Sequence, residues 1–395
     1  MSNVRMLGCL NAAVLIACQP DTSDLGTQVT VRWEIRQTGT VYATHVFPER
    51  IEPSRVMVED LRIGSVEGPD EDVFGMVLGM AVDSLGSIYI ADRMSQEIRV
   101  FDSSGRFMFR FGGSGSGPGE FRSVRGLRWS PSGTLWAADR RNNRYSEFTA
   151  AGEFLRSYNV PPLRFRRSFW LGGIDRQGRV YNEALSFRED RSVTAFIRRF
   201  DPSSGAMDSV LLAHHVEAYE TAIRIPRGSM LMPFSPKLYW ALGPDGAIWS
   251  TRTDEYIIRR MTFQGDTTLV IDVRAPRLEV TEEELAGALA HLDVTMESLN
   301  RYTTIDPGTI PKVHPYTDYI DLDDQERLWV RRVTHSDSTV FDVFGRDGRY
   351  LWTVATPWQI AKLWPVLIVD NTMYAVVRDL LDVDYVVRGR LKERG

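Results

Sequence analysis

A five-fold echo constrains the fold of this chain more than any other feature. It runs over residues 82–90, 129–137, 174–181 and 242–249, and once more, without its glycine, over 322–329. Each copy closes one apolar run, turns through Gly86, Gly133, Gly178, Gly246 or Glu326, and opens a second run rich in Ile, Tyr and Trp. An internal repeat of this kind specifies a radial or stacked array before any single residue is weighed. The first three anchors lie 47 and 45 residues apart, the later ones 68 and 80. The excess falls in two insertions, at about 211–235 and at 273–317. The second holds Thr281 followed three residues later by Glu284, a capping box that predicts a helix start.

Within a unit, the turn glycine is followed by a polar loop and a third strand such as 98–101. A further turn at Gly105 leads to a fourth strand at 107–111. The glycines allow the positive φ that short hairpin turns need. Four short antiparallel strands in roughly 45 residues make one propeller blade. A sixth unit, at 366–369, 373–377 and 385–388, supplies only three strands. Residues 59–64 resemble the end of the first unit, 109–112, and are predicted to supply the missing outer strand and so close the ring. The expectation is an all-β, six-bladed β-propeller of four-stranded antiparallel blades over 55–391, with five and seven as the competing counts. Alternation of Val29, Val31 and Trp33 with Thr30, Arg32 and Glu34, followed by Gly39, predicts an N-terminal β-hairpin within 29–50.

Near the N-terminus, Arg5 precedes a mostly apolar run from Met6 to Ala17, broken only by Asn11 and too short to span a bilayer. Leu15, Ile16, Ala17 and Cys18 resemble the lipobox of bacterial lipoproteins. That resemblance implies a signal peptide at 1–17, lipidation at Cys18 and a polar tether at 18–28. An ordinary cleaved signal or a buried N-terminal segment is the alternative. The expected location is a membrane-anchored lipoprotein, periplasmic or at the cell surface. Two or three acyl chains give stable anchoring. The net charge of -5 argues against a nucleic-acid partner.

The stretches 79–83, 88–92 and 98–105, with Leu135, Trp136, Asp139 and Arg144 in the second unit, resemble NHL-repeat propellers. More narrowly, 111–121, 233–236 and 310–330 are similar to bacterial 6-bladed beta-propeller lipoproteins of unassigned function. The resemblance covers about 55–391. It implies that the aspartate closing each second strand pairs with an arginine opening the third. Arg144 fills that place for Asp139; in the first unit Glu97 occupies it, leaving Asp92 without the partner. Some NHL-like propellers are lyases or lactonases with zinc or calcium on the axis.

The glycine-rich stretch 112–119 lacks the Lys-Ser/Thr of a phosphate loop and opens no helix. It reads as an inter-blade crossing, with Phe121 packed into the core. Arg93 and Arg140 directly follow Asp92 and Asp139. Arg252, Arg331, Arg332 and Arg378 fall at or near the same point in later units. Equivalent positions share a rim, so these six arginines form a candidate surface for carboxylate or phosphate; solvated loop charge paired with nearby acids is the plainer reading. The histidines (His45, His214, His215, His291, His314 and His335) do not recur at axial positions, so no metal site and no cofactor are expected. No nucleophile elbow occurs. The functional expectation is a monomeric binding or scaffold module for an envelope protein or an anionic small molecule. The alternative is a metal-dependent lyase or hydrolase that uses zinc or calcium in the central channel.

Overall fold

The recurrent aspartates and glycines shape the hairpins. In the computed structural model, Asp83 accepts the amides of Leu85 and Ser87 at 2.9 and 2.8 Å, while Gly86 sits at φ +82°. Asp175 and Asp323 repeat the arrangement on Gln177 and Arg179, and on Gln325 and Arg327. An aspartate that bonds the backbone two and four residues on sets the turn, and glycine takes the left-handed position without steric cost. The unit that lacks the glycine keeps the geometry: Glu326 stands at φ +61°.

The structure describes residues 29–36, 38–163, 169–187, 193–212, 222–225, 228–298, 306–361 and 364–394. Signal, tether and Cys18 lie outside them, as do His214 and His215. The chain opens with β1 (Thr30–Ile35), β2 (Val41–Val46) and β3 (Arg55–Ile63). Blade 1 is β4 (Val77–Val82), β5 (Ile88–Asp92), β6 (Glu97–Phe101) and β7 (Phe107–Gly112). Blade 2 is β8 (Val124–Trp129), β9 (Leu135–Asp139), β10 (Arg144–Phe148) and β11 (Phe154–Asn159). Blade 3 is β12 (Val180–Phe187), β13 (Val193–Phe200) and β14 (Met207–Leu211), with an isolated inner bridge from Ile174 to Val180. A two-stranded ribbon, β15 (Ala222–Ile225) and β16 (Gly228–Leu231), precedes blade 4. Blade 4 is β17 (Leu238–Leu242), β18 (Ile248–Arg252), β19 (Ile257–Met261) and β20 (Thr267–Arg274). The helix α1 (Glu282–Ser298) stands in the crossing to blade 5, which is β21 (Thr317–Leu322), β22 (Leu328–Arg332), β23 (Val340–Phe344) and β24 (Tyr350–Ala355). Blade 6 is β25 (Val366–Val369), β26 (Thr372–Arg378) and β27 (Asp384–Glu393).

The sixth blade takes its outer strand from the front of the chain. β27 pairs antiparallel with β3 from Val386↔Ile63 to Glu393↔Arg55. Arg388 reaches from β27 to Asp60 at 2.7 Å and to the Ser103 carbonyl of blade 1 at 2.7 Å. The hairpin β1–β2 lies along the outer edge of blade 4, where β2 pairs parallel with β20. Edges that would stay open are thus covered from the N-terminal side.

Neighbouring blades press together through buried side chains. Phe121 is fully buried among Val100, Leu127 and Phe148, as the sequence predicts. The glycine-rich crossing before it is clamped by Arg144, which donates to the carbonyls of Ser116, Gly117 and Glu120 at 3.0, 2.8 and 2.7 Å. This corrects the expected pairing of Arg144 with Asp139: the guanidinium neutralises backbone dipoles of the loop instead. Asp92 does have an arginine, Arg99, at 3.5 Å, two residues beyond the expected place. The capping box at α1 is present, with Thr281 N to Glu284 Oε2 at 2.9 Å and Glu284 N to Thr281 Oγ1 at 3.1 Å.

Candidate functional site

One face of the disc gathers the inter-blade crossings and the loops after each second strand. Backbone bonds fix this: Arg93 N to Met76 O, Arg140 N to Ser123 O, Thr253 N to Lys237 O and Val333 N to Tyr316 O. Equivalent residues are therefore Arg93, Arg140, Thr253 and Val333. The opposite face carries the tight aspartate turns.

This register revises the six-arginine rim. Arg252, Arg332 and Arg378 are not equivalents of Arg93. Leu238↔Arg252 and Thr317↔Arg332 match Val77↔Asp92 and Val124↔Asp139, so these arginines stand in the aspartate position. Arg378↔Asp384 matches Asp92↔Glu97 in the same way. A one-residue offset turns a side chain to the other side of its strand. All three reach carboxylates: Arg252 to Asp254 at 2.8 Å, Arg332 to Asp342 at 3.5 Å, and Arg378 to Asp384 at 2.7 Å. Arg331 is buried, one residue further in, and bonds Asp318. Four of the six therefore serve internal ion pairs.

Blades 1 and 2 differ. Asp92 spends its oxygens on the amides of Gly75, Met76 and Met94 at 2.9–3.0 Å. Asp139 does the same with Arg122, Ser123 and the side chain of Asn142. The aspartates hold the crossings in place; the arginine that follows is exposed in blade 2 and in blade 1 reaches the Met76 sulfur at 3.6 Å. Arg140 and Arg141 are exposed and Arg93 half-buried. A fourth arginine joins them from the inner strand of blade 2. β8 carries a bulge between Val124 and Leu127 that contains Arg125, at the place where β4 bulges at Leu78 and β21 at Asp318. Bulges re-aim side chains, here at the inner rim of the disc. Burial, followed by repulsion from Arg93, Arg140 and Arg141, brings the Arg125 guanidinium down to about 10. Ser123 Oγ accepts from its Nε at 2.9 Å. The inner strands come close enough here to require glycine: a Cβ on Gly79 would stand 2.7 Å from Cα of Gly126.

Sequence reasoning missed Arg125, although a signal exists. Val124, Arg125 and Gly126 repeat Val77, Leu78 and Gly79 at the start of the inner strand, so the charge stands out once the blades are aligned.

Leu78, Phe169 and Tyr239, from blades 1, 3 and 4, share one apolar cluster. Tyr319, on the inner strand of blade 5 and part of the same cluster, donates to Asp321 at 2.8 Å. Burial raises the Asp321 carboxyl, while Arg128 from blade 2 and the tyrosine oppose that shift. Among the described residues, this carboxylate stands with an arginine, and the three side chains that could share a metal ion lie elsewhere, at Glu284, His314 and His335.

The histidines separate in space. His45 is buried against the Gly348 carbonyl at 2.9 Å, and His291 is exposed on α1. His314 and His335 meet Glu284 on the crossing face, with Nε2 to Oε2 at 3.0 and 3.5 Å. Neither histidine falls at a recurring axial position in the sequence, so the sequence alone predicts no metal site from them. Yet one precedes β21 and the other follows β22, and antiparallel neighbours bring those two ends together.

Residues 70–161, across the first two blades, match a protein family described as 6-bladed beta-propeller. No curated protein matches the chain. A solved member of the duf4221 family from Bacteroides vulgatus is similar at 14% identity and TM-score 0.54, covering 87% of this chain and 100% of that one. A putative exported protein from Bacteroides fragilis is similar at 14% identity and TM-score 0.49, covering 87% and 96%. Virginiamycin B lyase from Staphylococcus aureus is similar at 13% identity and TM-score 0.39, covering 85% and 99%. The match to the duf4221 member supports the fold and nothing finer. Among the described residues, no helix is long and apolar enough to cross a membrane.

Proposed function

We propose that this β-propeller is a binding module, tethered to a membrane through Cys18, that takes a carboxylate- or phosphate-bearing ligand at the mouth of blades 1 and 2. The observation that carries this is the cluster of Arg93, Arg125, Arg140 and Arg141 beside the bulge of β8, where burial first and then the charge of the other three lower the Arg125 guanidinium. Like charges brought together on a rigid frame repel, and an anion relieves that repulsion. Guanidinium groups offer paired donors that match carboxylate and phosphate oxygens. The neighbouring aspartates do not compete, because backbone amides occupy them. Met94, 64% exposed beside Arg93, adds an apolar contact suited to a peptide or protein segment.

The test uses citrate and a short poly-glutamate peptide, titrated calorimetrically into wild type and into the Arg93→Ala, Arg140→Ala double variant. We expect saturable binding that weakens with salt and drops at least about tenfold in the variant. Equal affinities in the two proteins, or no saturable binding of either probe, would sink the reading.

A further inference from the structure

We propose that Glu284, His314 and His335 form a binding site for a divalent transition-metal ion of the zinc class, with one coordination position open to solvent. The site lies at the junction of blades 4 and 5 and draws on neither the axis nor the arginines of blades 1 and 2.

Three elements converge on it. Glu284 belongs to the first turn of α1, His314 to the segment entering β21, and His335 to the loop leaving β22. The three donor atoms lie within 4.8 Å of one another. A zinc ion with bonds of about 2.0–2.1 Å at tetrahedral angles needs its donors about 3.3 Å apart. The observed separations from Glu284 Oε2, 3.0 Å to His314 and 3.5 Å to His335, bracket that value. Two imidazoles and one carboxylate suit zinc and its first-row neighbours better than calcium or magnesium, which prefer all-oxygen shells.

The surroundings hold the donors in place. His314 is buried, with its ring against the edge of Phe234 at 5.0 Å, and its backbone amide donates to the Leu278 carbonyl at 2.8 Å. The Thr281 amide and hydroxyl bond the same Glu284 oxygen at 2.9 and 3.1 Å, which orients the carboxylate. Outer contacts of this kind orient metal ligands and tune their affinity. His335 is 43% exposed, so it can adjust by the few tenths of an ångström required, and solvent reaches the fourth position. Three protein ligands with an open fourth place are the arrangement of a zinc ion that binds a further ligand, rather than one closed for structure alone.

The experiment uses tag-free full-length protein stripped with chelator. Bound zinc is counted by elemental analysis after dialysis, its affinity is measured by calorimetry with zinc alone, and cobalt substitution supplies a visible absorption band. Wild type is expected to hold one zinc per chain and to show the cobalt band. His335→Ala, which changes an exposed ring, is expected to keep the wild-type melting curve without metal, to lose the band, and to bind zinc about a hundredfold more weakly. His314→Ala should do the same to the metal even where its stability falls. Wild type without bound zinc, or His335→Ala with unchanged stoichiometry and affinity, would overturn the proposal.

Discussion

Glu326 shows how much a single residue can carry in a repeat. Its four counterparts are glycine, and it keeps their left-handed backbone at φ +61°. For a residue with a Cβ that conformation costs roughly 1–2 kcal/mol. The side chain offers a reason to bear the cost: Glu326 bonds Arg176 of blade 3 at 2.6 Å and Arg346 of blade 5 at 3.0 Å, linking turns on the face opposite the arginine cluster. Both arginines are more than half exposed, so each pair contributes little, on the order of 0–1 kcal/mol. Glu326→Ala keeps the strain and loses the pairs, and should destabilise the fold by about 1 kcal/mol in urea unfolding. Glu326→Gly loses the same pairs but relieves the strain, and should come out about 1 kcal/mol more stable than the alanine variant. Equal midpoints for the two would remove the strain argument.

At the scale of the element, β3 has the most distant consequences. It pairs with β27, more than 300 residues away, and buries Met57 and Ile63 at the closure. Its far end also touches β24 through Val354↔Arg55, so blades 5 and 6 run into one sheet. Without β3 the outermost strand of blade 6 would present unpaired amides and carbonyls, an aggregation edge. The intact chain is expected to melt in a single cooperative transition in calorimetry, and deletion of residues 1–64 to abolish it. A peptide of residues 53–66 added in excess should restore part of it. A truncated chain that melts with wild-type cooperativity would show that the ring closes without this strand.

For the whole molecule, the crossing face collects the features that do not belong to the blade pattern. The four-arginine mouth lies on blades 1 and 2, and the Glu284, His314 and His335 cluster lies on blades 4 and 5, where the helical insertion enters. The tether proposal also belongs at this scale. Labelling of cells with radioactive palmitate should mark the wild-type chain and keep it in the membrane fraction. Cys18→Ala should be unlabelled and found in the soluble fraction, because the protein half of the anchor is that one thiol. Equal labelling of both chains would refute the anchor.

The linear order of residues was enough for the repeat, the turns, the helix cap and the closing strand. The turns and the cap rest on short-range rules, glycine where φ is positive and Thr281 three residues before Glu284, while the closing strand was legible from the likeness of 59–64 to 109–112 and the three strands of the last unit. What only the folded ring decided concerns neighbours and sides. Arg252, Arg332 and Arg378 looked equivalent to Arg93 along the chain, but one residue of strand register turned them onto Asp254, Asp342 and Asp384. Arg144 lay opposite Asp139 in register and still went to loop carbonyls, because the crossing passes closer to its guanidinium. Arg125 reached the inner rim through a bulge, and His314 met His335 and Glu284 because antiparallel strands return to the same end. A side chain's direction and its long-range partners depend on pairing between strands, and that pairing is set by packing of the whole ring rather than by local sequence.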